Sequence, residues 1–131
     1  MTMDVSIRAE VLETLERFKR LVSARNMDVI AEFAADGKVL LIGSEANEIA
    51  SGLPELHAFF ARIFSRDDSF SWEWSRVDVG HSGSVAWFFA DGQVVISGPH
   101  ETKKAPYRLT GVLERAGPRW VWRQFHGAEP A

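Results

Sequence analysis

The sequence predicts an α+β fold in which three helices lie over the concave face of a strongly curved antiparallel sheet. Apolar residues recur at steps of three and four in the first half of the chain, which is the spacing of amphipathic helices. After Ser69 the pattern changes to strand-like runs separated by turns rich in glycine and proline. Helices followed by strands indicate α+β architecture and argue against the alternating elements of a doubly wound nucleotide-binding fold. Long bent strands under apolar helices predict a cone that leaves a pocket.

The three helices are predicted from their apolar stripes and their end signals. The stripe over residues 7–22 extends for about four turns, and Ser6 is the expected N-cap. A shorter second helix is expected from 27 or 28 to about 35, because an Asp-Gly pair then stops it. The third helix, 54–66, begins with a proline, which suits a first helical turn, and carries five large apolar residues.

The strands are predicted from short apolar or alternating runs. Residues 38–42 are too few for a helix pattern and are predicted to form a strand, with 48–50 as its weak partner. Four longer strands follow at 70–79, 84–97, 105–115 and 119–126. Asp91-Gly92 is either a hairpin turn or a bulge within one long bent strand. We favour the long strand, because the two halves of a hairpin would each be short.

Length and composition limit the class of protein. A chain of 131 residues is expected to form a single domain, 1–131, and its 46% hydrophobic and 25% charged residues are typical of globular proteins. The chain has no cysteine, which excludes thiolate nucleophiles and disulfides and is compatible with a reducing, cytoplasmic location. A net charge of −3 offers no general attraction to nucleic acid or to anionic membranes. No apolar run reaches the roughly 18 residues that span a bilayer.

A family resemblance is carried by the second half of the chain. The segment 106–115 reads PYRLTGVLER, 120–130 reads WVWRQFHGAEP, and 84–87 reads SVAW. This combination of an Arg-x-Thr strand, a turn, a tryptophan and an aromatic-His pair resembles the SnoaL-like branch of the nuclear transport factor 2-like superfamily. It is similar to the subgroup that contains the association domain of calcium/calmodulin-dependent protein kinase.

The resemblance covers nearly the whole chain and implies the cone fold, but it implies no single activity. The fold hosts isomerases, dehydratases, cyclases and pure assembly domains. Gly127 and Ala128 stand where the family has a serine near the end of the chain. The aspartate and His–Asp pairings of the isomerase and dehydratase branches have no clear counterpart here. No catalytic residue is therefore carried over from the family.

Three polar residues on the last two strands form the first candidate binding site. Arg108 lies nine residues before Gly117 and His126 nine residues after it, so a hairpin centred on Gly117 would place them opposite each other. Gln124 would follow one pleat nearer the turn. Arginine binds planar anions through two hydrogen bonds, so the group predicts an anionic or carbonyl-bearing small molecule as ligand. Alternatively, these residues bond to one another or anchor the C-terminal tail at a dimer interface.

Other ligand-binding candidates come from aromatic and acidic residues in the strands. By the two-residue period, Trp122 is expected to share a face with the polar residues of the last strand. Trp74 marks an aromatic face of the first long strand, whereas Glu73 points away from it. Asp91 is a candidate general base inside the cone, and the competing interpretation is an ordinary turn residue. No histidine spacing suggests a metal site, and no cofactor is expected.

The leading functional hypothesis is a small-molecule-binding domain that forms a homodimer largely through its sheet, with Trp120 or Trp122 near the interface. One alternative is a small enzyme, an isomerase, dehydratase or hydrolase that acts by proton transfer. The other is an oligomerisation domain. An enzyme needs a carboxylate or histidine that faces an open cavity. A binding module needs only the cavity, and an assembly domain needs neither.

Overall fold

The computed structural model describes residues 2–130, and their side chains from Ser6 onward. Two α-helices, a short 3-10 helix and six strands follow one another along the chain. The helices are α1 (Thr2–Ser23), the 3-10 helix (Met27–Glu32) and α2 (Leu53–Phe64). The strands are β1 (Leu40–Ile42), β2 (Ile49–Ser51), β3 (Ser69–Ser82), β4 (Val85–Ser97), β5 (Thr102–Ala116) and β6 (Arg119–Ala128).

All six strands form one curved sheet in the order β2-β1-β6-β5-β4-β3. The four long strands pair antiparallel with their sequence neighbours, as expected for an α+β cone. β1 pairs antiparallel with β2 and parallel with β6, where Leu41 lies opposite Phe125. The fold class predicted from the sequence is confirmed. Among the described residues, no helix combines the length and hydropathy needed to cross a membrane.

The first helix is longer, and the second shorter, than their local signals predict. α1 already includes Ser6, so the prediction that Ser6 caps the helix is wrong. The second element is a 3-10 helix capped by Asn26, whose side chain accepts a hydrogen bond from the backbone N–H of Asp28 at 2.8 Å. It ends before Phe33, which takes an extended conformation and forms a bridge with Trp122. Pairing with β6 therefore overrides the local helical pattern.

The strand β4 runs unbroken through Asp91-Gly92, as favoured from the sequence. The irregularity lies on the partner strand instead, where the register shifts between Trp74 and Arg76. A Cβ at Gly92 would collide with the backbone carbonyl of Glu73, so glycine permits the close approach of the two strands at this bend. The bent pair of long strands gives the sheet its curvature.

The sheet has an inner face packed against the helices and an outer face open to solvent. α1 crosses β3 and β6, whereas α2 packs against β2 and the 3-10 helix. Buried residues of α1, notably Val11, Leu15 and Phe18, meet the inner face. Glu32 is buried at the end of the 3-10 helix and accepts hydrogen bonds from Arg17 at 2.8 Å and Arg119 at 3.2 Å. This ion-paired cluster joins α1, the 3-10 helix and β6.

Candidate functional site

The polar group predicted on the last hairpin lies on the outer face of the sheet. Arg108, Gln124 and His126 are all exposed, outside the cone. Arg108 stands opposite Ala128, and His126 stands opposite Thr110. The predicted pairing of Arg108 with His126 is therefore wrong by two residues, although the two side chains share a face as diagonal neighbours.

Two features of the β5–β6 hairpin cause this shift of register. Ala116 pairs with Arg119, so the turn is centred between two residues and not on Gly117. A bulge then occurs where Val112 pairs with Gln124 but Leu113 pairs with Trp122, which leaves Arg123 unmatched. Each feature moves the pairing by one residue.

Asp91 also lies on the outer face, not inside the cone as a general base would. It is the ladder partner of Arg108, and its Oδ1 atom lies 3.6 Å from the Arg108 Nε atom. The carboxylate offsets the positive charge that an anionic ligand would require at this position. The outer-face group is thus a weaker anion site than its sequence suggests.

The two predicted aromatic candidates lie on the inner side of the sheet. Trp122 is fully buried in the core, because the bulge reverses the alternation between it and Gln124. Trp120 is 1% exposed, and its indole N–H donates to Glu10 at 2.9 Å. Neither tryptophan exposes surface to an interface, and the expectation that one of them lies near a dimer interface stays a prediction. Trp74 is half-buried and stacks on Trp72 with ring centroids 6.4 Å apart.

A partly open cavity of about 190 Å³ lies between the inner face and the helices. Its walls are mainly apolar, and its phenylalanine and tryptophan members are Phe18, Phe59, Phe60, Phe70, Trp72 and Phe125. An apolar cavity of about 150 Å³ is large enough to bind benzene. The interior of this cone therefore has room for a molecule of roughly one substituted ring.

A few polar side chains belong to this apolar lining. The polar atoms of interest are Oδ1 of Asp68, immediately before β3, and the indole Nε1 atom of Trp72. Both atoms are buried and have no hydrogen-bond partner among the described residues. Glu48, just before β2, is 8% exposed, and its Oε1 atom accepts a single hydrogen bond from the backbone N–H of Glu45 at 3.1 Å. The cavity thus combines an unpaired donor with unpaired acceptor capacity.

Tyr107 adds a hydroxyl group to the cavity. It is buried on the inner face of β5, and its hydroxyl lies against Gly127, where a Cβ would collide with it. Burial raises the pKa of Tyr107 above its usual value, and the negative charges of Glu48 and Glu129 raise it further. The hydroxyl therefore stays protonated at neutral pH and is able both to donate and to accept a hydrogen bond.

The remaining polar lining of the cavity is mostly acidic. Ser44 donates a hydrogen bond to Glu129 at 2.9 Å, and Arg66 lies 4.0 Å from Glu45. The full set of charged lining residues is Glu45, Glu48, Asp68, Glu129 and Arg66. Four carboxylates against one guanidinium give the lining a net negative charge. Among the described side chains, no three metal-ligating groups cluster as a cation site requires.

The residues of this cavity were largely absent from the sequence-based candidates. Asp68 stands in a connecting segment outside any periodic pattern, and Glu48 falls in the predicted strand 48–50 but is not among the predicted site residues. For Tyr107, the sequence does contain a feature that could have identified it as a residue of the cavity. It is the one tyrosine in a chain with nine phenylalanines and five tryptophans, and it has the opposite strand parity to Arg108. A single tyrosine hydroxyl on an otherwise apolar strand face indicates a hydrogen-bonding role for that hydroxyl inside the core.

A curved six-stranded α+β sheet around an apolar interior defines the nuclear transport factor 2-like class of proteins. The model of the family described as the SnoaL-like domain matches residues 11–131. The chain therefore belongs to the SnoaL-like domain family, and the resemblance noted in the sequence is confirmed. The comparison with curated proteins gives no match.

Several solved structures share this fold. A provisionally named dehydratase of the NTF2-like family from Streptomyces avermitilis is 14% identical, with a TM-score of 0.86 over 98% of this chain and 99% of that chain. A provisionally named scytalone dehydratase from Novosphingobium aromaticivorans is 10% identical, with a TM-score of 0.85 over 100% and 89%. A provisionally named calcium/calmodulin-dependent protein kinase II association domain from Xanthomonas campestris is 15% identical, with a TM-score of 0.75 over 92% and 86%. At these identities the likeness shows the fold alone.

Proposed function

We propose that the protein binds a small, mostly apolar molecule in the cavity of its cone. The observation that carries this proposal is an apolar cavity of about 190 Å³ whose lining includes Asp68 and Trp72, each with a buried, unpartnered polar atom. Buried polar atoms in folded proteins nearly always have partners, and leaving one unpaired costs about 1–3 kcal/mol. A ligand with complementary polar groups supplies those partners. A pure assembly domain has no need of such a cavity.

Filling the cavity tests this proposal. Val94 lines the cavity, whereas Val95, next on the same strand, points to the outer face. We expect Val94→Phe to weaken the binding of a neutral probe, benzyl alcohol, by about tenfold or more, which is about 1.4 kcal/mol. Val95→Phe is the matched control and should leave binding unchanged. Titration calorimetry measures both, and equal affinities in the two variants would contradict a binding site inside the cone.

Proton-transfer catalysis in the same cavity is the second candidate function. It is favoured by Asp68, a residue of the apolar lining with an unpartnered carboxylate oxygen, and by Tyr107, whose side chain belongs to the same lining. The structural relatives named as dehydratases are consistent with such chemistry. We expect the protein to accelerate exchange of the α-protons of 2-tetralone in D₂O, followed by NMR, and Asp68→Asn to abolish the acceleration. Exchange no faster than in buffer would contradict the catalytic candidate.

Homodimerisation through the outer face of the sheet completes the proposal. Trp87 is 48% exposed on that face and lies flat over Gly80, where a Cβ would collide with the indole. Phe89 and Val112 border the same shallow groove. Exposed apolar patches of this kind commonly mark contacts with other chains.

The dimer is tested by the mass of the protein in solution. Light scattering at micromolar concentration should give twice the chain mass of 14.7 kDa, and Trp87→Asp should give the monomer. A monomeric parent protein would contradict the dimer. A large closed ring would instead favour the assembly role of the kinase association domain.

A further inference from the structure

The charged residues that line the cavity indicate the class of ligand, and this inference rests on the proposed binding function. We infer that the preferred ligand is an organic cation, a small protonated alkylamine that carries an aromatic ring. Four carboxylates and one guanidinium line the cavity. The guanidinium of Arg66 is already placed 4.0 Å from Glu45 and over the ring of Phe70. No cationic side chain is paired with Asp68 or Glu48 among the described residues.

Glu48 is the most buried of the four carboxylates, and Asp68 is half-buried with one buried oxygen, whereas Glu45 and Glu129 are exposed. The Oδ1 atom of Asp68 is buried without a partner, and Glu48 is 8% exposed with one backbone donor. A carboxylate removed from water requires a cation or strong donors to offset the loss of hydration. A protonated amine supplies both the charge and the hydrogen bonds. An anionic ligand would instead meet like charges in a medium that screens them poorly.

The aromatic walls support the same class of ligand. Six phenylalanine and tryptophan side chains and Tyr107 line the cavity. The faces of aromatic rings attract cations by about 0.5–2 kcal/mol, and aromatic cages are a recurring device for binding organic ammonium groups. An aromatic body on the ligand also fills the apolar volume. The Nε1–H of Trp72 has no partner among the described residues, and we expect an oxygen acceptor on the same ligand, or a water held beside it, to accept its hydrogen bond.

This inference replaces the anionic or carbonyl-bearing ligand predicted from the last two strands. That prediction depended on Arg108, which lies on the outer face beside Asp91 and does not line the cavity. The carboxylates of the cavity come from the connecting segments before β2 and β3. The negative charge of the cavity lining therefore comes from residues in connecting segments, which the alternating pattern of the strands does not predict.

Three probes of similar shape and different charge test the inference: benzylamine, benzyl alcohol and benzoate, titrated separately at pH 7 by calorimetry. We expect benzylamine to bind about tenfold or more tightly than benzyl alcohol, and benzoate to bind weakest. Asp68→Asn should weaken benzylamine by about tenfold and leave benzyl alcohol within about threefold. Asp67→Asn removes the same charge from an exposed neighbour outside the cavity and should change neither affinity.

The outcomes separate this inference from the proposed function. Equal binding of amine and alcohol, or tightest binding of benzoate, overturns the cationic ligand and leaves a binding cavity in place. Absence of binding by all three probes contradicts both. Glu48→Gln provides a second variant if Asp68→Asn does not fold. An affinity for benzylamine that neither change reduces would contradict the role of the buried carboxylates.

Discussion

Replacement of Trp122 by alanine is expected to lower the free energy of unfolding by about 3–5 kcal/mol. The side chain is fully buried at the centre of the aromatic core. Its ring centroid lies 5.0 Å from that of Phe18, 5.4 Å from Phe125 and 5.5 Å from Phe88. Truncation removes these contacts and leaves a cavity that the surrounding rings fill only in part. Urea denaturation measures the loss.

The variant Trp122→Phe separates packing from hydrogen bonding at the same position. The indole Nε1 atom of Trp122 is buried and unpartnered among the described residues, so phenylalanine removes an unsatisfied donor together with part of the ring. We expect a smaller loss than for alanine. A loss below about 1 kcal/mol for Trp122→Ala would contradict its central place in the core.

The second large effect is expected at Phe60 on α2. Its side chain is 3% exposed, and its ring lies 5.2 Å from Phe59, 5.5 Å from Phe64 and 6.3 Å from Phe18. Phe60→Ala should therefore cost about 3–5 kcal/mol of unfolding free energy. The value should fall near the lower end of this range, because part of the ring borders the existing cavity and is less fully packed.

An exposed position on the same helix provides the control for Phe60. His57 faces solvent one turn earlier, so His57→Ala should change the free energy of unfolding by no more than about 0.5 kcal/mol. Thermal and urea denaturation of both variants compare the two faces of α2. Similar losses for Phe60→Ala and His57→Ala would mean that the helix does not bury this face.

Much of the fold could be predicted because local periodicity reflects burial directly. The stripe of α1 and the face of α2 are apolar because these helices cover the sheet, and the long strands alternate because one face is solvated. The parallel pairing of β1 with β6 could not be predicted in this way. It pairs Leu41 with Phe125, which lie far apart in the chain. No local pattern indicates with which distant strand a short apolar run will pair.

The second helix illustrates how tertiary contacts override local preference. Residues after Glu32 have a helical pattern, but the backbone N–H of Ala34 donates to the carbonyl of Trp122 at 3.0 Å. This bond ends the helix early and extends the sheet. Ser6 likewise has the chemistry of a cap, but helical residues precede it. Both errors come from competition between a local signal and a longer-range structure.

The candidate site was harder to predict than the fold, because register and loop direction decide it. A single bulge near Val112 and a two-residue turn were enough to separate Arg108 from His126. The bulge at Arg123 also reverses the alternation along β6, so Trp122 does not share a face with Gln124 and His126 as predicted. Asp68 and Glu48, which line the cavity, come from connecting segments whose direction depends on the curvature of the whole sheet.

The central claim is that a small molecule binds inside the cone, and one NMR titration tests it most directly. The five tryptophan indole N–H groups give separate signals in a ¹⁵N–¹H spectrum, and Trp72→Phe assigns the signal of the cavity residue. Addition of benzyl alcohol should shift the Trp72 signal, because Trp72 lines the cavity, and leave that of the outer-face Trp87 in place. A Trp72 signal that does not move while that of Trp87 shifts would contradict the account.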